Sequence, residues 1–403
     1  MKNYLLSLLL LICGSAIAQN CLPQGVSLNT QSQIDSFAIL YPGCTHILGN
    51  VKIQESAVGG ILNLEGLAQI SAVDGYLRIN FNTNLASLHG LEQLRGIGND
   101  LRINFNASLS NLQGLANLKA ICGSLVVTNN DSLSDLNGLS KLKTIGGDFE
   151  LDNCGALINL SGIDSLQNIG GTLGLAYNQK LNNLSALAQL DSIGDDLRIE
   201  HLPALPNLHG LDQLRWVGAD VELSFNNALA NIDALQQVTH VGNSLLVFFN
   251  NALTSLEGLA HIDPTPITEM IIQNNAQLSV CSVASICQYL QNGGLAAVSS
   301  NTSGCDDTLE IIAGCQVSGL SMLDKTGRVT LFPNPVQHTL KLDCTAIENA
   351  QYQVFNANGL IMMSGPLPPN GLLDVSQLLP GVYVVQLMTA DTALLKQFVK
   401  SAH

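Results

Sequence analysis

The sequence predicts a mainly β protein: a solenoid of 24-residue coils, closed by disulfide caps and followed by a small β-sandwich. Three observations carry that reading. A leucine opens each of eight segments, at Leu85, Leu109, Leu133, Leu157, Leu181, Leu205, Leu229 and Leu253, and the interval never changes. A fixed short period means that each unit buries its apolar side only against its neighbours. Cysteines cluster at the two ends of the periodic region, Cys21 and Cys44 before it and Cys281, Cys287, Cys305 and Cys315 after it. From Val329 onward the period gives way to short alternating runs separated by turn residues.

The composition suits thin repeated layers. The chain has 403 residues, 46% hydrophobic but only 4% aromatic, with 36 glycines and a net charge of −15. Leucine and isoleucine therefore fill the core. Most of the negative charge lies in the middle of the chain. Residues 329–403 set Lys341, Lys396 and Lys400 against Asp343, Glu348, Asp374 and Asp391. An acidic body without a basic stripe argues against nucleic acid or an anionic membrane as partner.

In chain order, residues 1–18 read as an export leader. Lys2 gives the positive start, Leu5 to Ile12 the apolar run, and Ala16-Ile17-Ala18 the small-x-small cleavage site. The run is too short to span a bilayer, so the mature chain is expected to have no transmembrane segment. A lipid anchor on Cys13 would want a small residue before it, and Ile12 stands there. Residues 19–56 read as an N-terminal cap with Cys21–Cys44 as the best single disulfide. Ile47 to Ile53 and Ile61 to Ile70 look like a degenerate first coil. Nine cysteines remain after cleavage, an odd number, so at least one thiol stays free or pairs between chains.

The solenoid proper is expected over 57–280. In the specimen Leu101 to Leu118, LRINFNASLSNLQGLANL, Leu101 and Ile103 alternate with Arg102 and Asn104 as a short half-buried strand. Asn106 follows where the chain must turn, with equivalents Asn82, Asn130, Cys154, Asn178, Asn226 and Asn250 and one departure, Leu202. Stacked amides there can satisfy backbone groups that an interior turn leaves unpaired. Leu109, Leu112, Leu115 and Leu118 recur every three residues, which suits a 3₁₀ segment. Ile121 then leads into a Gly-rich corner. At Asp263-Pro264-Thr265-Pro266 the corner breaks, and the next interval, Leu253 to Leu278, is longer by one. Residues 281–315 read as a C-terminal cap with a helix over Ser282 to Leu290 and three possible disulfide connectivities. A linker over 316–328 and the sandwich over 329–403 complete the chain, with Asn358-Gly359 as a hairpin turn.

The pattern L-x-[IL]-x-x-N-x-x-L-x-x-L-x-G-L-x-x-L-x-x-I resembles leucine-rich repeats, most closely the receptor L-domain type, over roughly residues 45–275. Cys154 at an Asn position is a substitution such repeats also show. The resemblance implies a binding scaffold and names no ligand. The tail resembles the type A C-terminal sorting domain of the type IX secretion system of Bacteroidetes. The matching residues are Phe332-Pro333-Asn334-Pro335, Asn358-Gly359, Leu378 with Gly381-Val382-Tyr383-Val384, and Lys396 to Lys400. That resemblance implies the type IX machinery as partner, passage through the periplasm and across the outer membrane, and release or surface attachment.

No catalytic signature is present: no H-E-x-x-H, G-x-S-x-G, P-loop or EF-hand loop. No cofactor or metal is expected. His89 and His209 share a column five coils apart, too far at ~5 Å per strand to share a metal. Asp100, Asp148, Asp196 and Asp220, interrupted by Ser124, Thr172 and Ser244, are expected to bond their own backbone at the corner. The column Phe81, Phe105, Asn129, Asn153, Tyr177, His201, Phe225, Phe249 concentrates aromatics in an aromatic-poor chain. Strict strand alternation turns it inward as a packed spine; the competing reading is an exposed track for sugar or peptide, with Phe81, Phe105, Tyr177, Phe225 and Phe249 as its rings. Between buried positions the chain varies freely, and Arg78, Arg102 and Arg198 are the first polar candidates for a ligand on the strand face. The expected function is non-enzymatic recognition of a protein or glycan along that face. The alternative is a structural or adhesive component that self-associates.

Overall fold

Leu101 and Ile103 are fully buried while Arg102 and Asn104 between them stay partly open, and most of the four-residue strands repeat this alternation. The computed structural model describes residues 20–57, 60–317, 329–344, 350–356, 360–388 and 393–401. The leader read at 1–18, most of the 316–328 linker, and Asn358 and Gly359 lie outside them. The chain divides into two compact units, Met1–Asp307 and Thr308–His403.

In the first unit the strands stack in parallel and in register. Leu77 pairs with Leu101, Leu101 with Leu125, and Leu125 with Phe149, so each strand neighbours its equivalent in the next coil. Among the described residues this sheet has twelve strands, from Val26–Leu28 to Ala296–Ser299. It thus extends into both segments read as caps. The one-residue slip after Leu253 is absorbed without a break, since Leu245 pairs with Met270.

The period alone makes Ile121 a lead-in to the corner. In the structure Ala120–Ile121 and its equivalents form a second parallel sheet of two-residue strands, ten among the described residues, from Asn20–Cys21 to His240–Val241. Each coil therefore touches its neighbours along two sides. The leucines of the specimen lie between them with no exposed surface.

The back of the coil takes one of two forms at one column. Gln113–Leu115 is a 3₁₀ turn, as expected, and so are Glu65–Leu67, Ser185–Leu187, Asp233–Leu235 and Glu257–Leu259. Elsewhere Gly90, Gly138, Gly162 and Gly210 take φ between 104° and 123°. Ala186 and Ala234 sit in this column only where the turn is 3₁₀, because a Cβ disfavours positive φ.

The caps are bridged. Cys21–Cys44 is formed, and so is Cys281–Cys305, one of the three connectivities open for the C-terminal cluster. Cys287 and Cys315 are oxidised as well. Cys154 is a buried free thiol. The helix expected over 282–290 runs Ala284–Gln291.

The tail is a two-sheet antiparallel sandwich. One sheet orders Val329–Phe332, Thr339–Cys344 and Leu372–Asp374; the other orders Ile361–Pro366, Gln351–Asn356, Gly381–Met388 and Ala393–Lys400. Leu340, Leu342 and Leu373 from the first meet Val354, Tyr383, Val385 and Phe398 from the second in one core. Gln351–Asn356 and Ile361–Pro366 pair antiparallel on either side of Asn358-Gly359.

Candidate functional site

The turn after each strand decides what the molecule shows to solvent. Phe81, Phe105, Asn129, Asn153, Tyr177, His201, Phe225 and Phe249 all have φ between 50° and 58°, and Asn274 and Ser300 continue the column at 56° and 60°. Alternation ends at this left-handed residue. The packed-spine expectation therefore fails: Phe105 is 46% exposed and Phe225 37%. The next residue, the Asn, turns inward instead.

That inward column is a hydrogen-bonded ladder. Asn106 Oδ1 accepts from the N–H of Asn82 at 3.1 Å, and its Nδ2 donates to the Ile79 carbonyl at 2.8 Å. Asn130 does the same for Asn106 and Ile103. The ladder runs on through Asn275 and Asn301, beyond the equivalents legible from the period. Cys154 and Leu202 interrupt it; each still donates its own N–H, to Asn178 and Asn226, but supplies no amide oxygen. Burial pushes the Cys154 thiol up to about 11.

The outward aromatics are stacked face to face. Tyr177, His201, Phe225 and Phe249 form one run with ring centres 4.3, 4.4 and 4.7 Å apart; Phe81 and Phe105 form another at 4.7 Å. Between the runs, Asn153 Nδ2 donates to Asn129 Oδ1 at 2.6 Å. Each interior ring has its faces covered by its neighbours and offers solvent its edge.

The outward strand positions lie beside this column. Arg78 and Arg102 are adjacent rungs, whereas Arg198 stands four coils further on, ~19 Å at about 4.8 Å per strand. Each arginine already has a partner. The Arg78 guanidinium lies over the Tyr76 ring at 4.1 Å, and Arg102 meets Asp100 at 2.9 Å. Arg198 reaches two coils back to Glu150 at 3.3 Å. That bridge passes over Gly174, where a Cβ would stand 2.1 Å from Glu150 Oε2. Gly174 and the Glu150–Arg198 bridge were not legible from the period, since nothing in sequence marks a contact that skips a coil.

The carboxylates of this face are partly desolvated. Burial raises the Glu150 carboxyl against the pull of Arg198, raises Asp152, and raises Glu222 with a further push from Glu200. Among the described residues six buried side-chain polar atoms have no hydrogen-bond partner. Five belong to this face: Arg78 Nε, Asn104 Oδ1, Asp152 Oδ1, Arg198 Nε and His201 Nδ1.

The corner column is structural, with one correction. Asp100 Oδ1 accepts from the N–H of Ser124, Asp148 Oδ1 from Thr172, and Asp196 Oδ1 from Asp220. These aspartates bond the backbone of the next coil rather than their own, because the corners stack in register. His89 and His209 each pair with a carboxylate on the same turn, Glu92 and Asp212. Among the described residues no three His, Cys, Asp or Glu side chains group as a metal ligand set.

In the tail, Pro333-Asn334-Pro335 is tied to the last strand: Asn334 Oδ1 accepts from the N–H of Val399 at 2.8 Å, and Val336 bonds the backbone on both sides of Lys400. Gly381 pairs with Lys400, and Tyr383 stacks on Phe398 at 5.6 Å while its hydroxyl donates to Leu379. Lys396 is exposed; Lys400 is buried and donates to the Ser401 carbonyl.

Two outcomes come from comparison with known proteins. Residues 330–401 match the family described as the Secretion system C-terminal sorting domain, which indicates export by type IX secretion to the cell surface or beyond. No curated protein matches the chain. Among the described residues no helix is long and apolar enough to cross a membrane.

Proposed function

We propose that the exported chain is a non-enzymatic binding protein of the leucine-rich-repeat kind that reads a protein or glycan along the outward columns of its long-strand sheet. The leader at 1–18 would carry it to the periplasm and the tail onward. The observation that supports this reading most is the outward aromatic column, in which Phe81, Phe105, Tyr177, Phe225 and Phe249 are all exposed. Rings gathered on one outward face of an aromatic-poor chain are what a recognition surface uses, and the half-open Arg102 and Arg198 stand beside them. The test is a protein and glycan array screened with the full chain, followed by Arg78→Ala, Arg102→Ala and Arg198→Ala. Each substitution should weaken binding of a captured ligand; unchanged affinity in all three would refute the assignment.

Self-association is the second reading, and the sheet end favours it. Among the described residues Ala296–Ser299 pairs on one side only, and an edge strand can template another. Light scattering separates the two, since a persistent monomer counts against assembly.

A further inference from the structure

Trp216 is the one tryptophan of the chain, and it stands on the outward side of the short-strand sheet with 42% of its surface exposed. Its indole is stacked on the imidazole of His240, the next rung, with ring centres 3.6 Å apart and planes within 14°. One indole face is thereby covered, and the ring is held upright like a wall. The rung on the other side is Ser192, whose side chain is too short to cover a bicyclic ring. One rung further stands Asn168, whose Oδ1 accepts from Ser192 Oγ at 2.8 Å.

The spacing makes this a slot. Rungs of a parallel sheet are ~4.8 Å apart, so Trp216 and Asn168 leave about 6 Å once the half-thicknesses of ring and amide are subtracted. The slot has one flat apolar wall, a hydroxyl floor at Ser192 and an amide on its far side at Asn168. On the open side of Trp216 the flanking charges Arg215 and Asp191 pair at 3.8 Å, and Asp263 stands on the covered side, one rung beyond His240. This is the opposite of the aromatic column on the long-strand side, where rings cover one another and show edges. Trp216 offers a face.

We propose that this slot is a subsite for a neutral pyranose unit of a glycan. A pyranose chair carries C–H bonds on its faces and hydroxyls around its rim. The weakly positive C–H bonds suit the negative face of an indole, and the rim hydroxyls can exchange hydrogen bonds with Ser192 Oγ and the Asn168 amide. A flat apolar ligand would stack equally well but would strand the polar floor, which is costly. The ion pair on the open side gives no net charge there to draw an ionic ligand. The slot lies on the short-strand sheet, so it does not depend on the long-strand reading.

Because Trp216 is the only tryptophan, indole fluorescence of the full chain reports this face alone. Titration with maltose, cellobiose, laminaribiose and N,N′-diacetylchitobiose should give a saturable shift in emission with at least one of them. The corresponding polysaccharide, cast in a native gel, should then retard the protein. Trp216→Ala should lower that retardation about tenfold. Ser192→Phe fills the slot while leaving a single tryptophan on an exposed surface, and it should abolish the fluorescence response with the melting temperature unchanged. Emission that stays flat with all four sugars overturns the proposal. So does Ser192→Phe responding like the parent, or Trp216→Ala being retarded like the parent.

Discussion

Two adjacent columns, Asn82 to Asn301 and Phe81 to Ser300, have opposite fates. The first is buried in every described coil but the last, Asn301, and admits only Cys154 and Leu202 as departures. The second faces solvent, exposed or half-buried, and accepts Phe, Tyr, His, Asn and Ser. A single dihedral separates them. The left-handed residue turns the chain so that the next side chain points in and must serve the backbone, leaving its own side chain outside. The difference teaches that repetition in a solenoid marks what closes each coil, and variation marks what closure leaves free.

Breaking the inner column should have the largest effect. Asn106→Ala removes the acceptor of the Asn82 N–H and the donor to the Ile79 carbonyl, both buried. A loss of about 3 kcal/mol is expected in urea unfolding, from the cost of leaving such groups unsatisfied. Repairing the column should give a smaller gain. Cys154→Asn supplies the amide oxygen that faces the Asn130 N–H and should stabilise by about 1 kcal/mol.

The same position gives a pH test. Cys154 has its thiol raised from 9.0 to about 11 in the folded chain. A raised folded value means that the protonated thiol favours folding. That contribution is whole below pH 9 and is lost as pH climbs from 9 towards about 11. The wild-type chain should therefore show an alkaline decline in stability over this window that Cys154→Asn lessens. Equal slopes would show that Cys154 is not the group responsible.

The outer column should be the mildest to change. Phe105→Asn introduces a residue type tolerant of positive φ and loses one stacking contact, with Phe81. The stability change should stay within about 1 kcal/mol. A loss as large as that of Asn106→Ala would mean that the aromatic stack is scaffold, and the comparison would collapse.

The Leu, Asn and Gly columns were legible because a period makes every buried contact between coils a local statement repeated, so in-register pairing of Leu101 with Leu125 follows from the constant spacing. The tail was legible for another reason: an ordered set of turn and strand residues, from Phe332 to Lys400, carries its own pattern. The sense of the aromatic column was not legible. Whether Phe105 points in or out depends on one φ, and that angle is set by closing the coil onto its neighbours rather than by strand alternation.

Other features depended on tertiary structure for the same reason. The second sheet, the Glu150–Arg198 bridge over Gly174 and the slot beside Trp216 are relations between rungs at different heights. In sequence Ser192 and Trp216 are ordinary residues one period apart; only stacking makes one the floor beside the other's wall. The sequence by itself determined a capped, exported solenoid and the residues that close its coils, because those contacts repeat with the period. The tertiary structure decided which variable residues face water and which polar atoms lack partners, because these depend on non-repeating side chains meeting across the stack.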